Sequence, residues 1–173
     1  MATAIKDGPQ PQPLSQLRSL DIEGAVLRES AAIPTRNGVT TELFSTPWQL
    51  PVEAVKHLIH VRLDPGAISA WHRHESQTDQ IHAIEGAVRV VLFDGRDGSP
   101  TEGRVEEVEL DAGRPALLIV PPGVWHGVQN LSARASCAFL NLFDRPYHHG
   151  DPDEWRLPQA NDLIPYAFAR ASA

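Results

Sequence analysis

The run WHRH at Trp71 to His74, read together with PPGVWHGVQN at Pro121 to Asn130, decides how this chain folds. Each places histidine beside apolar, β-type sequence. Residues two apart on a strand share a face, so His72 and His74 project side by side while Arg73 points the other way. His126 follows the rigid turn Pro121-Pro122-Gly123, near the start of a second strand, with Val128 and Asn130 as its same-face neighbours. Asp79 opens a third strand after a short polar connector. Its parity groups it with Ile81 and Ala83 and sets Gln80, His82 and Ile84 on the opposite face. Three imidazoles and one carboxylate can therefore meet in a single interior.

Short β-type runs spread outward from these anchors, over residues 24–29, 39–44, 54–63, 67–74 and 80–84, then 87–93, 105–110, 116–120, 125–130 and 134–143. Val, Ile, Leu and Phe recur in them, and Gly, Pro, Asp or Ser separate most of them. Glu85-Gly86 reads as a tight hairpin, and DGRDGSP at Asp94 to Pro100 as a longer surface loop. Helical periodicity is nearly absent. Many short strands with regular turns predict an all-β sandwich or barrel in one domain over residues 21–143. Residues 1–20, rich in Pro and Gln, read as a flexible arm. Residues 144–173 read as an irregular wrap, broken by Pro152, Pro158 and Pro165 and anchored on the barrel or on a partner subunit by Trp155, Leu157, Leu163, Ile164 and Tyr166.

Composition narrows the function classes. The chain has 173 residues, enough for one sizeable core, and a formal net charge of −7 that argues against nucleic acid or an anionic membrane as partner. The single cysteine, Cys137, lies in an apolar run and reads as a buried hydrophobe; its solitude suits a reducing, cytoplasmic compartment. No apolar stretch reaches transmembrane length. A small-molecule ligand is the expected partner.

The two histidine runs resemble the paired motifs of the cupin superfamily. GAISAWHRH at Gly66 to His74, followed by Asp79 and Gly86, is similar to the first motif, with aspartate at the usual glutamate position. Pro121, Gly123, His126 and Asn130 match the second. The resemblance implies a jelly-roll β-barrel. Three further features resemble the dTDP-4-dehydrorhamnose 3,5-epimerase branch: PPGVWHG, the hairpin Gly86 followed by VVLFD at Val90 to Asp94, and the tail pieces DRPY at Asp144 to Tyr147, DEWRLP at Asp153 to Pro158 and Ile164-Pro165-Tyr166. That branch implies a homodimer, a sugar-nucleotide substrate and proton removal beside a ketone by a histidine paired with an aspartate, without metal.

Carried over residue by residue, the resemblance makes His72 the base, His126 the second pocket histidine and Asp162 the aspartate partner. The branch's arginine falls on Ser69 and its catalytic tyrosine on Asn141, which is then a substrate contact rather than an acid. Arg62 is a candidate anchor for an anionic substrate. His74 and Asp79 instead restore a metal-type pattern. His72, His74, Asp79 and His126 could hold Zn, Fe, Ni, Cu or Mn for an isomerase, lyase or dioxygenase. A binding module without chemistry is the third reading. Trp71 and Trp125 should face away from the pocket, and His57, His148 and His149 should lie on the surface or in loops.

Overall fold

In a computed structural model of the protein, residues 16–171 are described, together with residues 4, 6 and 8. Most of the expected N-terminal arm lies outside the described residues. Its end is strand β1 (Leu17–Ser19), which runs along β2 (Val26–Glu29) at the rim of the larger sheet. The other strands are β3 (Ala32–Thr35), β4 (Gly38–Thr41), β5 (His57–Leu63), β6 (Ile68–Arg73), β7 (Asp79–Glu85) and β8 (Ala87–Asp94). They continue with β9 (Val105–Asp111), β10 (Ala116–Val120), β11 (Val124–Asn130), β12 (Cys137–Phe143) and β13 (Trp155–Arg156). A 3₁₀ turn at Thr46–Trp48 is the helical element among the described residues.

The strands form a jelly roll of two antiparallel sheets, ordered β1-β2-β10-β7-β12-β5 and β13-β6-β11-β8-β9, beside a separate β3-β4 hairpin. The expected closed barrel is corrected to this pair of sheets, because the hydrogen-bonded ladder does not run continuously from one to the other. The consecutive strands β5 and β6 belong to different sheets, and residues from both line the cavity described below.

Strand alternation distributes the core. On β8, Val88, Val90 and Leu92 enter the interior between the sheets, against Ile81, Leu118 and Phe139 of the larger sheet. Val91 and Phe93 of the same strand turn outward and join a second cluster with Trp71, Trp125 and Ile164. The two tryptophans thus face away from the pocket. The tail covers them, since Leu157, Tyr166 and Phe168 pack on this cluster and the Trp71 indole N–H donates to the Gln159 carbonyl at 3.3 Å. Burying side chains this large contributes roughly 2–3 kcal/mol each.

Close approach fixes one further residue type. A Cβ on Gly127 would lie 2.5 Å from the Cβ of Ala70 and 2.9 Å from Phe168, so β11 can pack on β6 and under the tail only without a side chain there. Gly86, with φ of +68°, makes the β7–β8 turn in the left-handed region that glycine enters at least cost. No helix among the described residues is long and apolar enough to cross a membrane.

Candidate functional site

The motif histidines meet in a cavity of about 380 Å³ between the sheets. Ser69, His72 and His74 reach it from β6 and its end, Asp79 and Ile81 from β7, and His126 and Val128 from β11. Alternation along β5 adds His57, Ile59 and Val61, and β12 adds Phe139, Asn141 and Phe143. The tail closes one side with Tyr147, His149, Glu154 and Arg156.

The tail organises the two β6 histidines. Strand β13 pairs with β6 so that Trp155 lies opposite Arg73 and Arg156 opposite His72. This register sets Glu154 beside His72, with its Oε1 3.0 Å from Nδ1. The preceding residue, Asp153, accepts hydrogen bonds on its carboxylate from the backbone N–H groups of Glu75, Ser76 and Gln77 at 2.7–3.1 Å. Its carbonyl oxygen accepts from Nδ1 of His74. One tetrapeptide thereby clamps the β6–β7 connector and both imidazoles.

With Nδ1–H of His72 donating to Glu154, Nε2 is left as an acceptor, 2.9 Å from the Ser69 hydroxyl. Burial lowers the His72 pKa, the nearby His126 lowers it further, and Glu154 opposes both. A neutral imidazole with its basic nitrogen in a partly dry cavity is the result.

Asp79 sits at the other side of the cavity and is buried. Nε2 of His126 approaches its Oδ2 at 3.1 Å and Nε2 of His74 approaches its Oδ1 at 3.5 Å. The amides of Gln77 and Asn141 donate to it at 2.8 and 2.9 Å. Burial would raise the Asp79 pKa, but hydrogen bonds and charge from His126 and His74 outweigh it and hold the carboxyl ionised. For His74 burial works downward, and Asp79 overcomes it to push the pKa up to about 9. One ligand atom each from His74, Asp79 and His126 lie within 4.8 Å of one another. Two imidazoles and a carboxylate converging this closely fit a divalent transition-metal ion, and His72 stands outside the group.

The remaining expectations divide. His126 and Asn141 line the cavity. Asn141 is fully engaged, donating to Asp79 and accepting the Gln80 backbone N–H at 3.2 Å. Asp162 does not line it; its side chain is exposed beyond the β13 pairing, and the carboxylate at His72 is Glu154. Arg62 is likewise placed elsewhere, on the outer face of β5, paired with Glu85 at 3.1 Å and donating to Ser136 at 2.9 Å. The cationic side chain at the cavity is Arg156, whose Nη2 lies 2.5 Å from Glu154 Oε1. His57, expected at the surface or in a loop, is half-buried on β5, while His149 is exposed in a turn as expected; both line the cavity and flank Tyr147, His57 stacked on its ring and His149 edge-on.

Glu154, Tyr147 and Arg156 were missed as site residues. Their signal lay in the tail pieces DRPY and DEWRLP, whose residues carry no periodicity to show which of them turn inward.

Comparison with known proteins agrees with this architecture. Residues 19–161, the greater part of the chain, match the family model described as dTDP-4-dehydrorhamnose 3,5-epimerase. A probable low-salt glycan biosynthesis epimerase of Haloferax volcanii is 28% identical over 139 residues, covering 80% of this chain and 88% of that protein. The crystal structure of a dTDP sugar isomerase from Desulfovibrio desulfuricans superposes with a TM-score of 0.79 at 30% identity, covering 87% of this chain and 94% of the other. A 3'-monoepimerase of Streptomyces bikiniensis, crystallised with dTDP-quinovose, superposes with a TM-score of 0.71 at 25% identity, covering 80% and 71%. The match over residues 19–161 and the shared fold lead to one conclusion: the chain belongs to the dTDP-4-dehydrorhamnose 3,5-epimerase family.

Proposed function

We propose that the protein epimerises a dTDP-linked 4-keto-6-deoxysugar by proton transfer at a carbon next to the ketone, with His72 as the base. The observation that carries this reading is the His72 Nδ1 to Glu154 Oε1 contact of 3.0 Å inside the cavity. A carboxylate in that position holds the tautomer whose Nε2 lone pair can take a carbon-bound proton, and it stabilises the imidazolium that forms. The C–H electron pair moves toward the ketone oxygen as an enolate, and inversion follows when a proton returns to the opposite face. Asn141 cannot supply that proton, because its amide group is held by Asp79. Tyr147 is the phenol that lines the same cavity, and the reading assigns it the returning proton.

Size supports the assignment. A cavity of about 380 Å³ accommodates a hexose ring and leaves the nucleotide to extend toward the mouth. Arg156, a cationic side chain that lines the cavity and is largely exposed, supports a diphosphate contact in this reading.

The test is solvent-deuterium incorporation into a dTDP-4-keto-6-deoxysugar, followed by NMR in D₂O. The wild-type protein should label a carbon next to the ketone, and His72→Asn should lower the rate by roughly 10²–10⁴-fold, the usual contribution of a positioned base. Undiminished labelling by the variant would remove His72 from this role.

A further inference from the structure

Strand β6 turns a hydroxyl onto the basic nitrogen of His72, a contact for which the sugar reaction has no use. We propose that Ser69, His72 and Glu154 form a nucleophile–base–carboxylate triad that hydrolyses small carboxylic esters, with Ser69 carrying the acyl group. This activity shares its base with the epimerisation proposed above but needs no keto sugar, so either can stand without the other.

Strict alternation would send Ser69 outward with Trp71 and Arg73. A bulge prevents this. Between the pairs His126 with His72 and Val128 with Ser69, three steps along β6 stand against two along β11. The extra residue is absorbed at Ala70 and Trp71, consecutive residues that both pack into the outer cluster. One inserted residue reverses the facing of the strand beyond it, and bulges re-aim side chains in this way beside active sites. Ser69 consequently lines the cavity next to His72.

The contacts then run in one chain. The Ser69 hydroxyl lies 2.9 Å from Nε2 of His72, and Nδ1 of the same ring lies 3.0 Å from Oε1 of Glu154. A carboxylate only accepts, so Nδ1 carries the ring proton and Nε2 accepts from the hydroxyl. This is the order of contacts by which a histidine activates a serine nucleophile while a carboxylate holds the ring. Glu154 is itself braced by Arg156, whose Nη2 lies 2.5 Å from the same Oε1.

The reaction balances on these groups and water. Oγ of Ser69 bonds to the ester carbonyl carbon as its proton passes to Nε2 of His72, and the carbonyl π electrons move onto oxygen. Arg156, opposite His72 in the β13–β6 pairing and on the cavity wall, is the cation that meets this oxyanion. Collapse of the intermediate breaks the bond to the alcohol, which leaves with the proton from His72. Water, giving its proton to His72, then attacks the acyl-Ser69 ester and releases the carboxylic acid and the free hydroxyl. A cavity of about 380 Å³ restricts the ester to small groups, and Ile59, Val61 and Val128 offer them an apolar wall.

The experiment treats the full-length protein, without any sugar nucleotide, with two probes. A fluorophosphonate, which phosphonylates activated serines with loss of fluoride, is located by peptide mass mapping; p-nitrophenyl acetate is followed by nitrophenolate release. The fluorophosphonate should add at Ser69, and Ser69→Ala should abolish both the adduct and ester turnover. His72→Asn and Glu154→Gln should each slow adduct formation by at least about 100-fold. Circular dichroism establishes that each variant is folded, and mapping of the wild-type adduct stands without any variant. No adduct at Ser69 at millimolar reagent overturns the proposal. So does labelling of Ser69 at the wild-type rate in His72→Asn, or ester turnover that survives Ser69→Ala.

Discussion

Asp79 and Asp94 are both buried carboxylates at strand ends, one opening β7 and the other closing β8, yet the structure uses them differently. Asp94 is held by an arginine and two hydroxyls: Arg96 donates to both its oxygens at 2.8 Å, and Ser99 and Thr101 donate at 2.6 Å. Guanidinium stays charged at any pH a protein survives, so this pair is permanent and its output is a rigid loop. Asp79 is held by two imidazoles and two amides. Imidazole can gain or lose its proton near neutral pH, so the same burial yields a group whose partners can change charge. A buried carboxylate is structural or functional according to whether its cationic partners can let go.

Removing each charge should separate the two. Asp94→Asn leaves Arg96 without its counter-charge and should cost about 3 kcal/mol, the range for breaking a buried ion pair, read by urea denaturation. Asp79→Asn should cost less, about 1–2 kcal/mol, because an imidazole can give up its proton when the carboxylate goes, although the new amide N–H then faces the amide donor of Gln77 or Asn141. Equal losses would erase the distinction.

Acid supplies a smaller, graded version. Burial alone would raise the Asp94 pKa, but Arg96, Ser99 and Thr101 hold it well below the usual carboxylate range. The folded value lies below the unfolded one, so the stabilisation is present in full above about pH 4. It is lost as pH falls toward the folded value. The melting temperature should therefore decline below about pH 4, with a shallower decline in Asp94→Asn than in wild type. An identical acid slope in the variant would show that Asp94 does not carry this dependence.

The sequence makes the strand-borne half of the cavity legible. Alternation alone places His72 and His74 on one face, groups Asp79 with Ile81, and turns Trp71 and Trp125 outward, because the period of two leaves no other choice. Arg62 fails by the same rule: His57, Ile59 and Val61 point into the cavity, which sends Arg62 to the other face of β5. The tail is illegible for a different reason. Glu154 reaches His72 across 82 residues through a two-residue strand, and no local pattern encodes that register. The carryover took the carboxylate from the tail, but chose one eight positions beyond Glu154, the carboxylate that lies beside His72. The division into two sheets was also hidden, because a motif that implies a barrel does not say where its ladder is interrupted.

The central claim is that a tail carboxylate, Glu154, sets the tautomer of His72. The direct test compares solvent-deuterium exchange into a dTDP-4-keto-6-deoxysugar for Glu154→Gln and Asp162→Asn under the same conditions. The amide of glutamine can donate to Nδ1 and so favour the tautomer that lacks a basic Nε2, and the rate should fall by roughly 100-fold. Asp162→Asn, altering an exposed side chain away from the cavity, should leave it unchanged. Loss of exchange in Asp162→Asn with full activity in Glu154→Gln would contradict the account.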